Sequence, residues 1–186
     1  RYVAPDGYAE RYRDYPTPGD LEGQGGDWRE NLPDYYGICA NLDENLGRVR
    51  AELERLGLAE DTLLIYTSDH GTHFRTRNAE YKRSCHEASI RIPLVACGPG
   101  FAGGQVVDRL VSLIDVPPTI LGAAGLAAPE NWQGRPLQPL LRGEAVPAPR
   151  RTARAAKAPK AANGPVAKPI RIVRAAKAAK PARAAR

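Results

Sequence analysis

The chain has 186 residues, of which 42% are hydrophobic and 26% are charged. This length favours one domain of moderate size, since domains usually contain about 100–200 residues. No apolar run approaches the roughly 18 residues of a membrane-spanning helix, and three cysteines are too few for a disulfide scaffold or a four-ligand zinc site. We therefore expect neither a membrane span nor a disulfide-rich fold.

Charge is distributed unevenly along the chain. The whole sequence contains 27 Lys and Arg against 21 Asp and Glu, for a net charge of +6. Twelve of the basic residues and none of the acidic ones lie in residues 150–186, so residues 1–149 carry 15 basic against 21 acidic groups. An acidic body is thus followed by a strongly basic tail.

Residues 1–33 are rich in tyrosine, proline, glycine and charge, which predicts an irregular segment at the surface or lining a cleft. A helix is predicted from about Pro33 until Gly57. Along it, apolar residues recur three and four positions apart, which places them on one face of an amphipathic helix: Ile38, Leu42, Leu46, Val49, Leu53 and Leu56.

Short apolar runs at residues 63–67 and 92–97 predict two strands buried on both faces, as in a parallel sheet. Residues 106–113 predict a third extended stretch. A helix is then predicted after a capping Asp115, with two prolines in its first turn, where prolines are tolerated. Together these elements predict an α/β domain over residues 1–149 with a mostly parallel sheet and flanking helices.

The turn Ser68-Asp69-His70-Gly71 follows the first predicted strand directly. In open α/β sheets the functional crevice lies beyond the carboxyl ends of the strands. Asp69 and His70 therefore occupy a position where site residues are expected. Taken alone, an Asp-His-Gly turn is more typical of an N-capping aspartate beside a satisfied polar histidine than of a metal site.

The tail, residues 150–186, consists almost entirely of Ala, Lys, Arg and Pro. Such a composition cannot bury enough apolar surface to offset the ordering entropy, so we expect the tail to be disordered. The tail is either a solvated extension or an arm that binds nucleic acid. The first alternative includes out-of-frame sequence. Without aromatic residues to stack on bases, such binding is expected to be weak and independent of sequence.

Several blocks in one order and spacing carry a family resemblance. They read YYGICANLDENLG at 35–47, LIYTSDHG at 64–71, EYKRSCHEASIRIPL at 80–94, GPG at 98–100 and VSLIDVPPTI at 111–120. Over roughly residues 1–144 the chain resembles the sulfatases of the alkaline phosphatase superfamily. The resemblance implies an alkaline-phosphatase-like α/β fold, present here only in part.

The resemblance implies that Asp69 and His70 bind a divalent metal, usually calcium. A carboxylate is a good ligand for a hard cation, whereas an imidazole suits manganese or zinc equally well, so the metal identity stays open. It also implies that Lys82, five residues before Glu87, contacts the transferred sulfuryl group. A lysine adds positive charge where negative charge develops on the sulfuryl and bridging oxygens.

Further candidates for substrate binding lie around this lysine. His86 stands where many relatives have an aromatic residue, so it is a candidate substrate contact. Arg75 precedes Lys82 on the same loop and could bind an anionic substrate, as could Arg77 and His73. Each of these side chains could instead be a surface or packing residue.

The formylglycine nucleophile of the family arises from Cys or Ser in a Cys-X-Pro-X-Arg motif. Cys97 begins the sequence Cys-Gly-Pro-Gly-Phe, in which Phe101 replaces the arginine, so it does not fit. Because residue 1 is arginine and the likeness is to the later part of the family, we expect the nucleophile in a missing earlier portion. The sequence does not distinguish an exported protein from a cytoplasmic one.

The resulting hypothesis is a metal-dependent hydrolase of sulfate esters, in which a hydrated formylglycine attacks sulfur and Lys82 stabilises the leaving oxygen. We expect this chain alone to be inactive and to bind calcium weakly, since two ligands rarely hold a cation that prefers six or more oxygens. One alternative is a phosphodiesterase or phosphonate monoester hydrolase of the same superfamily. The other is a non-enzymatic protein that binds nucleic acid through its basic tail.

Overall fold

The computed structural model describes residues 2–101 and 104–144, and the predicted disordered tail lies outside them. The chain divides into two compact units. The first contains residues 1–62 and 69–92, and the second contains residues 63–68 and the chain from residue 93 onward. None of the described helices combines the length and the apolar composition that a membrane span requires.

The first unit is built on one long helix, α1, Trp28–Arg55. The predicted helix is confirmed, but it begins five residues before Pro33 and includes that proline. Burial explains the earlier start, because Trp28 and Leu32 pack with Leu21 and Phe74 in one apolar cluster. The helix ends at Arg55, two residues before the predicted stop at Gly57, whose φ of 70° is a conformation that glycine adopts without strain.

The N-terminal segment crosses α1 at Gly37. A Cβ atom there would lie 2.8 Å from the Ala4 Cβ and 2.9 Å from the Ala9 backbone nitrogen, so only glycine permits this approach. The segment is irregular as predicted, apart from a 3₁₀ turn at Ala9–Tyr12. Farther along α1, the predicted apolar face stays largely open to solvent, with 44%, 50% and 52% exposure at Leu42, Val49 and Leu56.

The sheet of the second unit contains two strands, β1, Leu64–Thr67, and β2, Leu94–Cys97. They pair in antiparallel register, with Leu64 opposite Cys97 and Thr67 opposite Leu94. Both strands lie where the sequence predicts them. The predicted mostly parallel sheet is wrong for the described residues, and β1 is half-buried along its whole length rather than fully buried.

Apolar composition explains why the direction of pairing was mispredicted. A run of apolar residues is typical of a strand, but it does not by itself fix which way the partner strand runs. The predicted third extended stretch, residues 106–113, forms no strand in the structure; it contributes Val107 to the core and ends in a 3₁₀ turn at Leu113–Asp115. That core contains five buried residues: Leu94, Ala96, Phe101, Val107 and Leu137.

Three shorter helices complete the described chain: α2, Glu87–Ile90, in the first unit, and α3, Val116–Ala123, and α4, Gln138–Leu141, in the second. Helix α3 is the one predicted after Asp115, with prolines in its first turn. The predicted capping role of the Asp115 side chain is wrong. Its carboxylate instead accepts hydrogen bonds from the backbone N–H groups of Ser112 at 2.8 Å and Arg135 at 2.9 Å.

Candidate metal and anion site

The turn that carries Asp69 and His70 is fixed by its glycine. The Gly71 N–H donates to the carbonyl of Ser89 at 2.8 Å, which ties the turn to α2. A Cβ atom on Gly71 would lie 2.1 Å from the Ala88 carbonyl oxygen. Only glycine therefore allows the turn to approach α2 this closely.

His70 is oriented by its own backbone surroundings. Its Nδ1 lies 2.8 Å from the Gly71 carbonyl oxygen, which can only accept, so Nδ1 carries the proton. Its Nε2 then presents a lone pair, and the Lys82 ammonium donates to it at 2.9 Å. In this tautomer Nε2 faces the Lys82 ammonium as an acceptor.

Asp69 places a second acceptor beside that nitrogen. Its Oδ1 accepts the His70 backbone N–H at 2.9 Å, which turns Oδ2 to within 3.3 Å of His70 Nε2. Two acceptors this close are stabilised by a cation that lies between or beside them. The Lys82 ammonium is one such cation, and a divalent metal is another.

The structure thus brings Asp69, His70 and Lys82 together, as their positions in the sequence led us to expect. The donor set also fits part of a metal site, since a carboxylate oxygen and an imidazole nitrogen 3.3 Å apart can bind one ion. Among the described residues, no group of three or more His, Cys, Asp or Glu side chains is placed to hold a metal. These two ligands are fewer than calcium requires.

Arg75 lies in a different set of contacts. Its guanidinium stacks over the Tyr81 ring, with 4.7 Å from Cζ to the ring centroid, and its Nε lies 3.5 Å from Asp27 Oδ2. The Tyr81 hydroxyl donates to the same carboxylate oxygen at 3.1 Å. Burial and the neighbouring Asp27 carboxylate raise the pKa of Tyr81, so its phenol stays protonated and donates at neutral pH.

The two further histidines differ in exposure. His86 is exposed at the start of α2, where its backbone carbonyl accepts the N–H groups of Ser89 and Ile90. His73 is 1% exposed, and neither ring nitrogen has a hydrogen-bond partner among the residues that the structure describes. Such burial keeps the His73 side chain away from an incoming anion, so the structure does not support His73 as a substrate contact.

Comparison with known proteins identifies the family of the chain. The family model described as Sulfatase matches residues 2–126, which is about two thirds of the chain. The chain belongs to the sulfatase family. This sulfatase is 44% identical over 106 residues to arylsulfatase K of Canis lupus familiaris, a match that covers 57% of this chain and 20% of that protein.

Solved structures resemble the sulfatase chain as well. A protein studied in the metabolism of multiple glycosaminoglycans by Bacteroides thetaiotaomicron is 29% identical, with a TM-score of 0.67, over 79% of this chain and 32% of that one. A phosphonate monoester hydrolase from Silicibacter pomeroyi is 26% identical, with a TM-score of 0.60. The match covers 80% of this chain and 33% of that one. Both likenesses are compatible with the predicted α/β class. The chain spans about a fifth of the curated relative and a third of these structures.

Asp27 is the residue near this site that sequence reasoning missed. Residues 1–33 have no periodicity, and we predicted only an irregular or cleft-lining segment there. The available signal was the pair Gly26-Asp27 directly before a helix, which is typical of an N-cap and so points to the helix itself. Its contact with Tyr81, 54 residues away along the chain, is visible only in the structure.

Proposed function

We propose that this sulfatase acts in the hydrolysis of sulfate esters, with Lys82 contacting the transferred sulfuryl group and Asp69 and His70 contributing to a divalent metal site. The convergence of the Lys82 ammonium on His70 Nε2, beside Asp69 Oδ2, is the observation that carries the proposal. Calcium is the first choice of metal, with manganese and zinc as alternatives. When bound, such a cation supplies positive charge to polarise the sulfuryl oxygens.

The chain's own residues have distinct roles in this proposal. The Gly71 carbonyl holds the His70 tautomer, so that Nε2 stays an acceptor. Lys82, which is exposed, can leave this acceptor and bind a sulfuryl oxygen or the oxygen of the leaving group. His86 and Arg75 remain proposed substrate contacts, and the Arg75 charge is already partly balanced by Asp27.

No nucleophile is assigned within the described residues. Cys97 is the last residue of β2, and Cys39 and Cys85 lie on exposed positions of α1 and of the segment before α2. None has the proline and arginine spacing of the formylglycine motif. We therefore expect the chain alone to give no turnover of aryl sulfates with added calcium or manganese.

Ligand binding consequently tests the site more directly than turnover. We expect Lys82→Gln to weaken binding of inorganic sulfate in the presence of calcium by about tenfold, the effect of losing one hydrogen bond to a charged group. The measurement is a calorimetric or NMR titration. The matched control is Arg83→Gln, which removes the adjacent exposed charge, paired with Glu80, and should change affinity less than about twofold, as for other exposed pairs.

Equal losses in the two variants would show a general charge effect and contradict the proposed role of Lys82. The same titration addresses the alternative reaction, for which the likeness to a phosphonate monoester hydrolase is the supporting observation. Phenyl sulfate and the phenyl monoester of methylphosphonate are both monoanions. Tighter binding of the phosphonate would favour the alternative over sulfate ester hydrolysis.

The basic tail gives a separate prediction about nucleic acid. Its 12 positive charges and absence of acidic residues predict weak binding that falls steeply as salt rises, because bound counterions are released. Fluorescence anisotropy with a labelled DNA duplex, at low and high salt, measures this binding with residues 150–186 present or deleted. Binding that survives the deletion, or that does not respond to salt, would contradict the prediction.

A further inference from the structure

Asp27 directly precedes α1, yet its side chain does not cap that helix. An aspartate at this position normally accepts hydrogen bonds from backbone N–H groups of the first turn. Here Oδ2 accepts the Tyr81 hydroxyl at 3.1 Å and lies 3.5 Å from Arg75 Nε. The carboxylate is therefore committed to the loop that leads to Lys82.

That loop contains two consecutive non-glycine residues in the left-handed region, Phe74 at φ 49° and Arg75 at φ 58°. Such conformations cost about 1 kcal/mol or more each and persist only where surrounding contacts hold them. The Asp27 N–H donates to the Phe74 carbonyl at 3.0 Å. Gly26 lies against the same oxygen, since a Cβ atom there would be 2.2 Å from it.

Tyr81 connects this anchored loop to the anion site. Its carbonyl accepts the His73 N–H at 2.9 Å, and its hydroxyl is held by Asp27. The residue is therefore fixed at both its backbone and the far end of its side chain. Lys82 follows immediately, and its ammonium lies 2.9 Å from His70 Nε2. Since a long, flexible side chain starts from this point, the placement of Tyr81 limits where the ammonium can reach.

We infer that Asp27 is a positioning residue, which sets the place of the Lys82 ammonium beside His70 through its hydrogen bond with Tyr81. The inference rests on the proposed function in one respect, namely that Lys82 binds the sulfuryl group. Strain at Phe74 and Arg75 fits this role, because strained backbone is retained where function needs a fixed geometry. The functional set thereby extends to the segment before α1.

The test compares variants of Asp27 in the full chain by two readouts. Asp27→Ala removes the acceptor and should weaken sulfate binding by about tenfold, as loss of a hydrogen bond to a charged group does. It should also shift the nitrogen-15 resonance of His70 Nε2, which loses the Lys82 donor. Asp27→Asn retains an oxygen for the Tyr81 hydroxyl and should restore both readouts most of the way. Glu30→Gln is the matched control, since Glu30 lines one cavity together with Asp27 and Tyr81, and it should change neither readout.

Tyr81→Phe is the second variant, for the case that Asp27→Ala does not fold. It deletes only the hydroxyl and should reproduce the His70 shift and the weaker binding. An unchanged His70 resonance in folded Asp27→Ala or Tyr81→Phe would overturn the inference. If the unaltered chain binds no sulfate, the proposed function fails, and the His70 resonance still decides the positioning role.

Discussion

Gly134→Ala is expected to destabilise the second unit by about 3 kcal/mol or more, which is among the larger effects of a single substitution. A Cβ atom at this position would lie 1.7 Å from the Ile114 carbonyl oxygen and 2.6 Å from its carbonyl carbon. Both are backbone atoms of the 3₁₀ turn Leu113–Asp115, so no side chain can rotate away. The clash must therefore move the turn itself.

The consequence extends to the start of α3, because the next residue, Arg135, donates its N–H to Asp115. Urea unfolding followed by circular dichroism measures the loss. Gly122→Ala in α3 is the control within the same unit, where the nearest atoms at 3.4 Å belong to the flexible Gln138 side chain. That change should be neutral or stabilising by up to about 1 kcal/mol, since alanine favours helix more than glycine does. Equal effects at the two glycines would contradict the predicted clash.

Asp115→Ala is expected to lower the free energy of unfolding by about 3 kcal/mol. The Asp115 side chain is 5% exposed, and its two oxygens accept the N–H groups of Ser112 and Arg135. Hydrogen bonds to a charged acceptor contribute about 1.5–3 kcal/mol each, and their loss leaves both donors without this partner. The Thr119 hydroxyl, which donates to the Asp115 carbonyl and accepts the Leu137 N–H, belongs to the same buried network.

Asp115→Asn is the informative comparison, because its amide keeps one accepting oxygen and presents an NH₂ group to the other donor. Asp115→Asn should therefore lower the free energy of unfolding by about half as much as Asp115→Ala does. Asp108→Ala, at an exposed position of the same unit, should change the unfolding free energy by less than about 0.5 kcal/mol. A loss at Asp115 no larger than that at Asp108 would show that the network contributes little.

The candidate site illustrates how far sequence reasoning reaches. The spacing of Asp69, His70 and Lys82 within family-like blocks indicated a shared site, and the structure places the three side chains together. The engagement of Arg75 by Asp27 and the full burial of His73 were not predictable. Both depend on how the loop folds over α1, and no local sequence pattern predicts that fold.

The sheet shows a second feature that sequence reasoning did not predict, the direction of strand pairing. The apolar runs located both strands, because apolar composition and flanking turns are local properties of the chain. They did not indicate that β1 and β2 pair antiparallel. Pairing direction depends on the path of residues 68–93 between the strands, and no pattern within either strand fixes that path.

The sequence by itself determined most of α1, the positions of α3, β1 and β2, the family, and the turn that carries Asp69 and His70, since each follows from local periodicity, turn residues or ordered motifs. Packing of Trp28 and Leu32 decided where α1 begins. Only the tertiary structure decided that Asp115 binds Arg135 rather than capping α3, and that Asp27 binds Tyr81. These contacts join residues 20 and 54 positions apart. The physical reason is that a buried carboxylate binds whichever donors the folded chain brings within reach, and separation along the sequence does not fix which they are.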